Sequence, residues 1–272
     1  MNHSLLRIAI ACTTIAIPAL SQDLVAIKAK TIHTITGPSI QDGVILLQNG
    51  RIQTIGKAAD VEIPWSATVI DASDKVVMPT YVLAHSNGGM RGANESMQNV
   101  PWLSVADAID PASSYFEGML RNGVGTIHVL PGNNTLMAGS GMVVRPFGRT
   151  VEDMTVADNT GMKLSLMTGS GSRLQKIREM RRAIAAVREY LANYEREKAE
   201  FEKEQAAGAI PADKKWEKEI DRKQKAAVEL IEKKMKGWLY VPSFAELDEA
   251  LRMSKDLDLN MVLGANLDEA MP

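Results

Sequence analysis

Asn49-Gly50, set between the β-branched runs Val44-Ile45-Leu46-Leu47 and Arg51-Ile52-Gln53-Thr54-Ile55, leaves the chain little choice locally. A two-residue type I′ turn needs positive φ at both central positions, which Asn and Gly tolerate best, so two antiparallel strands are expected here. Upstream, Val25, Ile27 and Ala29 alternate with Ala26, Lys28 and Lys30, and Thr68-Val69-Ile70-Asp71 forms a further β-rich run. Alternation of this period places one row of side chains on each face of a sheet. Residues 22–78 are therefore expected to form a small β-sandwich segment, a fold that by itself dictates no chemistry.

Beyond residue 78 strands alternate with helices. Phe116 to Arg121 reads as a helix stopped by Asn122-Gly123, and Val124 to Val129 as the strand that follows. Trp238 to Pro242, Phe244 to Asp256 and Leu259 to Gly264 repeat the scheme as strand, helix and strand. Between them, residues 173–236 hold 18 Lys or Arg and 13 Asp or Glu, a much denser charge content than the rest of the chain. Leu174, Ile177, Met180, Ile184, Val187, Leu191 and Tyr194 recur there every three or four positions, and Gly208 to Pro211 interrupts the pattern. An inserted helical hairpin is expected, its second arm carrying Glu219 with Lys223 and Glu229 with Lys233 at four-residue spacing. Such a pair is ordinarily a solvated arm packed along its stripe; the alternative is a surface for a protein partner.

The formal net charge of −2 supplies no field for nucleic acid. Arg7, the apolar run from Ile8 to Leu20, and the small residues Ala19 and Ser21 have the layout of a signal peptide cleaved near Ser21. Residues 1–21 are thus expected to be removed and the protein exported, periplasmic or secreted; the other reading is a buried N-terminal element. Cys12, the single cysteine, lies within that leader, so the processed chain has no thiol for a disulfide or a nucleophile. No later stretch reaches the ~20 apolar residues of a spanning helix.

The run Val69-Ile70-Asp71-Ala72-Ser73-Asp74-Lys75-Val76-Val77-Met78-Pro79, followed by His85, resembles the entrance to the catalytic barrel of the amidohydrolase superfamily, and most closely its imidazolonepropionase-like branch. The resemblance implies an α/β chain in which an N-terminal β-sandwich leads into a (β/α)8 TIM-type barrel. Residues 79–172 would be the first part of that barrel, 173–236 the inserted charged hairpin, and 237–272 a further strand, helix and strand. The barrel would be partial, because Val76 to Pro272 without the insertion is 133 residues, about half of the ~250 a complete one takes.

In that family the first barrel strand ends in His-X-His, two imidazoles that bind a divalent metal. Here the triplet is His85-Ser86-Asn87, and a neutral carboxamide is a weaker ligand than imidazole for zinc or iron. By this resemblance His85, Asn87 and His128 are the metal-ligand candidates, for one zinc, iron or manganese ion. His128 stands inside its strand, where a packed role competes with ligation; His33 belongs to the sandwich segment. No general acid or base is assigned. Glu95, Asp107 and Asp110 follow the first strand and could reach the mouth, with surface and cap roles as the ordinary alternative. Pro131-Gly132-Asn133-Asn134 and Gly139-Ser140-Gly141 form a loop region whose amides could cradle an anion or serve only as turns. The resemblance implies hydrolysis of non-peptide C–N bonds in a small amide or cyclic amide by metal-activated water. The degraded ligand triplet sets beside it a ligand- or partner-binding pseudoenzyme, and a truncated fragment.

Overall fold

A computed structural model describes residues 23–167, 172–243 and 246–265. The expected leader, Phe244 at the start of the expected helix and residues 266–272 of the expected last segment lie outside these residues. The chain divides into two compact units, residues 1–79 and 80–272.

The first unit is built on four strands, β1 (Leu24–Ile32), β2 (Ile40–Gln48), β3 (Arg51–Lys57) and β4 (Thr68–Val77). They form one sheet in the order β3-β2-β1-β4, with β1 antiparallel to β2 and parallel to β4. Asn49 (φ 51°) and Gly50 (φ 72°) close the β2–β3 turn with the two left-handed residues that the dipeptide demands. Ala29, Ile32 and Ile45 are the buried centre of one face, with Ile27, Ile40 and Leu47 packed beside them. A sandwich was expected, but the described residues supply a single layer. Ile52 is consequently 63% exposed, and the isoleucines of this face line a groove of about 830 Å³.

The second unit holds two four-stranded sheets. One comprises β5 (Tyr81–Ser86), β6 (Val124–Val129), β8 (Met142–Val144) and β9 (Thr155–Ala157), in that order. The other runs β12 (Met261–Ala265), β11 (Gly237–Val241), β10 (Met162–Ser165) and β7 (Met137–Ser140). The pairs β5/β6, β10/β11 and β11/β12 are parallel, as a βα succession requires. The pairs β6/β8, β8/β9 and β10/β7 are antiparallel. The architecture is therefore mixed α/β, and the described strands do not close a barrel. Strands β7 and β8 flank Gly141 where a loop over Gly139-Ser140-Gly141 was expected, and with β9 these short antiparallel strands separate the parallel pairs into two sheets.

Helix α1 (Ser114–Arg121) is capped by Ser113, whose side chain accepts from Tyr115 N, and stops at Asn122-Gly123. It buries Phe116 against Ile127, Val129, Met142 and Val144. A one-turn helix, α2 (Val151–Met154), precedes β9 behind a Thr150–Asp153 capping box. Helix α3 (Arg173–Ala206) starts at Ser172, whose Oγ accepts from Gln175 N at 3.2 Å. Its stripe of Ile177, Met180, Ile184 and Val187 is buried with Met162, Leu164, Leu239 and Val241, and the half beyond Leu191 is largely exposed. The chain returns through Trp216, whose ring meets Tyr194 and Phe201 edge-on and whose indole N–H donates to the Tyr194 hydroxyl at 3.1 Å.

Helix α4 (Arg222–Ile231), capped by Asp221, is shorter than the periodicity predicts. Neither expected four-residue ion pair forms within it: Glu219 precedes the cap, while Lys233 has left the helix at φ 60° and pairs with Asp258 at 2.7 Å. Helix α5 (Leu247–Asp256) buries Ala250 and Met253 on the same core as α3. Among the described residues no helix is long and apolar enough to cross a membrane.

Candidate functional site

In the second unit the apolar residues of each sheet point to the helices, and the alternate residues turn polar groups to the opposite face. On β10, Met162 and Leu164 enter the core under α3, so Lys163 and Ser165 face away from it. On β11, Trp238 and Tyr240 share the face of Lys163, with Lys163 opposite Trp238 in the parallel register. On β6, Ile127 and Val129 pack on Phe116, which turns His128 the other way.

His85 reaches that same face through an irregularity in β5. Leu83 pairs with Ile127 and Ser86 with Val129, a three-residue step against a two-residue one, so β5 carries one extra residue. Leu83 packs on the Phe116 cluster and Ser86 Oγ meets the Tyr115 hydroxyl at 2.5 Å, both toward α1. The two residues between them, Ala84 and His85, are both turned to the opposite side.

The central contact is between Lys163 Nζ and His85 Nε2, 2.6 Å apart. Lys163 is 1% exposed, lies over the Tyr240 ring at 5.3 Å, and has no carboxylate within ion-pair distance among the described residues. Burial lowers its pKa from 10.5 to about 8, so the ammonium is still the main form at neutral pH. The His85 imidazole is desolvated where it packs inward, although the residue as a whole remains exposed. That desolvation, followed by the nearby Lys163 and His128 charges, lowers its pKa to about 4. His85 is therefore neutral at pH 7.

His128 is 6% exposed and has both ring nitrogens engaged, Nδ1 with Ala84 O at 3.1 Å and Nε2 with Thr160 Oγ1 at 2.7 Å. Its ring stands edge-on to Trp238 at 4.6 Å, and burial holds its pKa below the usual histidine value. Gly161 (φ 150°) permits this packing, because a Cβ there would lie 2.6 Å from the Trp238 ring.

The ligand candidates do not assemble a metal site. Lys163 occupies the His85 lone pair that a metal would need, His128 has no free nitrogen, and among the described residues no carboxylate joins them. Asn87 lies just past β5, two residues beyond His85, and brings only a carboxamide. Among the described residues no group of three or more His, Cys, Asp or Glu is placed to hold an ion. A divalent metal activates water when three or more protein ligands hold it with one position open, and this donor set falls short.

Of the other candidates, Asp110 and His33 have side-chain partners. Asp110 accepts from Arg91 Nε at 2.9 Å and from Ala112 N, and the arginine hydrogen bond holds its carboxyl below the usual range. Asp107 ends a short 3-10 turn, and the backbone N–H of Glu95 donates to Thr135 Oγ1. Four amides of the glycine-rich loop are already engaged: Gly132 N on Ala93 O, Asn134 N on Asn94 Oδ1, Ser140 N on Leu103 O and Gly141 N on Gly161 O. His33, in the first unit, bonds Ser39 through Nδ1. The residue that sequence reasoning missed is Lys163. Its one signal was a lone cation inside the apolar run from Met162 to Leu166.

No protein-family model matches the chain. Over 83 residues, 29% of its length, it is 37% identical to a 5-methylthioadenosine/S-adenosylhomocysteine deaminase of Moorella thermoacetica, of which the match covers 19%. An amidohydrolase of Thermotoga maritima MSB8 superposes with a TM-score of 0.69 at 22% identity, over 88% of this chain and 63% of that one. The chain thus spans less than two thirds of either protein. It is similar, over part of its length, in sequence to that deaminase and in fold to that amidohydrolase.

Proposed function

We propose that this chain uses an amidohydrolase-type scaffold to bind a small molecule carrying a non-peptide C–N bond, an amide or cyclic amide, on the face where His85, His128 and Lys163 meet. The observation that carries the reading is the Lys163 Nζ contact with His85 Nε2, which gives the site a buried cation and a neutral imidazole, with no ligand set for a metal ion among the described residues. His85 would offer a hydrogen bond, Trp238 and Tyr240 flat apolar walls, and His128 a brace held by Thr160. Sites for planar polar ligands are commonly built in this way, from apolar walls and a few fixed donors.

A second reading, hydrolysis of the same bond class, is favoured by the local identity to a deaminase. It requires metal ligands beyond those the described residues bring together. Export after cleavage near Ser21 belongs to the proposal in either case, and the exposed outer half of the helical hairpin offers the surface for a protein partner.

Calorimetric titration of the purified protein with hydantoin and related cyclic amides, alongside an assay for ring opening and ammonia release with and without zinc, tests both readings. Binding without turnover, indifferent to a chelator, is the expected result. Turnover abolished by the chelator would replace it with the second reading, and the absence of both binding and turnover would remove each.

A further inference from the structure

We infer that Lys163 is the resident cation of this site: its ammonium takes the His85 Nε2 lone pair in place of a metal ion and fixes His85 as the tautomer whose Nδ1–H is the free donor.

An ammonium has three N–H donors and no lone pair, so at 2.6 Å from Lys163 Nζ the ring nitrogen must accept. A neutral imidazole carries one proton. With Nε2 accepting, that proton sits on Nδ1, because the hydrogen bond at one ring nitrogen decides the state of the other. Among the described residues no protein group bonds His85 Nδ1, and the residue is exposed. The donor is left for an oxygen from outside the chain.

The burial of Lys163 supports the same conclusion. A cation removed from water without a carboxylate is costly, and such groups are found where a function retains them. Tyr240 covers one side of the ammonium through its ring face, which attracts a cation without removing its charge. The unbalanced positive charge polarises the imidazole and strengthens Nδ1–H as a donor toward a carbonyl oxygen. Lys163 is thus a positioning residue that acts through His85. That the oxygen belongs to an amide or cyclic amide rests on the proposed function; the cation and the tautomer do not.

The test is nitrogen-15 NMR of the histidine rings in the purified protein, with elemental analysis of the same sample and a zinc titration followed through the His85 resonances. The expected spectrum shows His85 Nε2 at the shift of an unprotonated nitrogen and Nδ1 at that of a protonated one. Metal should be substoichiometric, and zinc should leave these signals unchanged. Lys163→Met, which fills the same space without charge, should lose the tautomer bias. His85 found with its proton on Nε2, or a stoichiometric metal that shifts its resonances in the unmodified protein, would overturn the inference; both are read without any variant having to fold. If the spectrum is as expected and cyclic amides do not bind, the relay stands and the proposed function falls.

Discussion

Lys163 and His85 are both disfavoured in their charged forms, and this sets a pH dependence of one sign. The folded pKa of Lys163, about 8, lies below its ordinary 10.5, so between these values the unfolded chain binds more protons than the folded one. Stability therefore rises as pH increases through that window, by on the order of 3 kcal/mol for a shift of this size. His85 acts in the same direction between about 4 and 6.5, its exposure making the effect smaller. Urea unfolding from pH 7 to 10 should show the rise in the native protein and a flatter profile in Lys163→Met. At Gly161, Ala would press a Cβ against Trp238 at a backbone angle that L residues rarely adopt, and a loss of about 1 to 3 kcal/mol is expected by thermal denaturation. His85 was legible in the sequence because a resemblance pointed to it. Lys163 was not, since it stands 78 positions away and only the folded sheets bring the two together.

At the scale of elements, the long charged segment is held by few residues. Ile184→Ala, in the buried stripe of α3, should cost about 2 to 5 kcal/mol, whereas Glu200→Ala on the outer half should stay within about 0.5. Asp221→Ala removes the cap of α4, whose carboxylate takes Lys223 N at 2.8 Å, and should cost about 1 kcal/mol. Chemical denaturation of the three variants separates these outcomes. Helix α3 was legible because seven apolar residues repeat at helical spacing. The strands from Met137 to Ser165 were not, being three or four residues long and broken by Gly139 and Gly141, too short for any periodicity to emerge. The hairpin turn at Asn49-Gly50 was the most legible of all, since its two side chains answer directly to a backbone angle.

Over the whole molecule, strand-and-helix alternation was readable, but closure was not. Whether parallel strands join one sheet or two depends on the antiparallel excursion between them, which leaves no periodic trace. The apolar face of the first unit's sheet has its own consequence. Ile52 and Ile55 are exposed on it, and apolar surface of this kind promotes self-association. Ile52→Lys should leave unfolding within about 0.5 kcal/mol of the native protein and reduce concentration-dependent association in sedimentation velocity.

The extra residue in β5 carries a different kind of information. Removing Ala84 would restore the regular step between Leu83 and Ser86, leaving one position between them to face the site, and removing one more would leave none. The placement of His85 is thus written in the count of residues as much as in their identity. Loss of the Ala84 codon alone would therefore leave His85 on the site face, whereas loss of the Ala84 and His85 codons together would leave no residue of that stretch on it, a distinction that a comparison of substitutions alone would pass over.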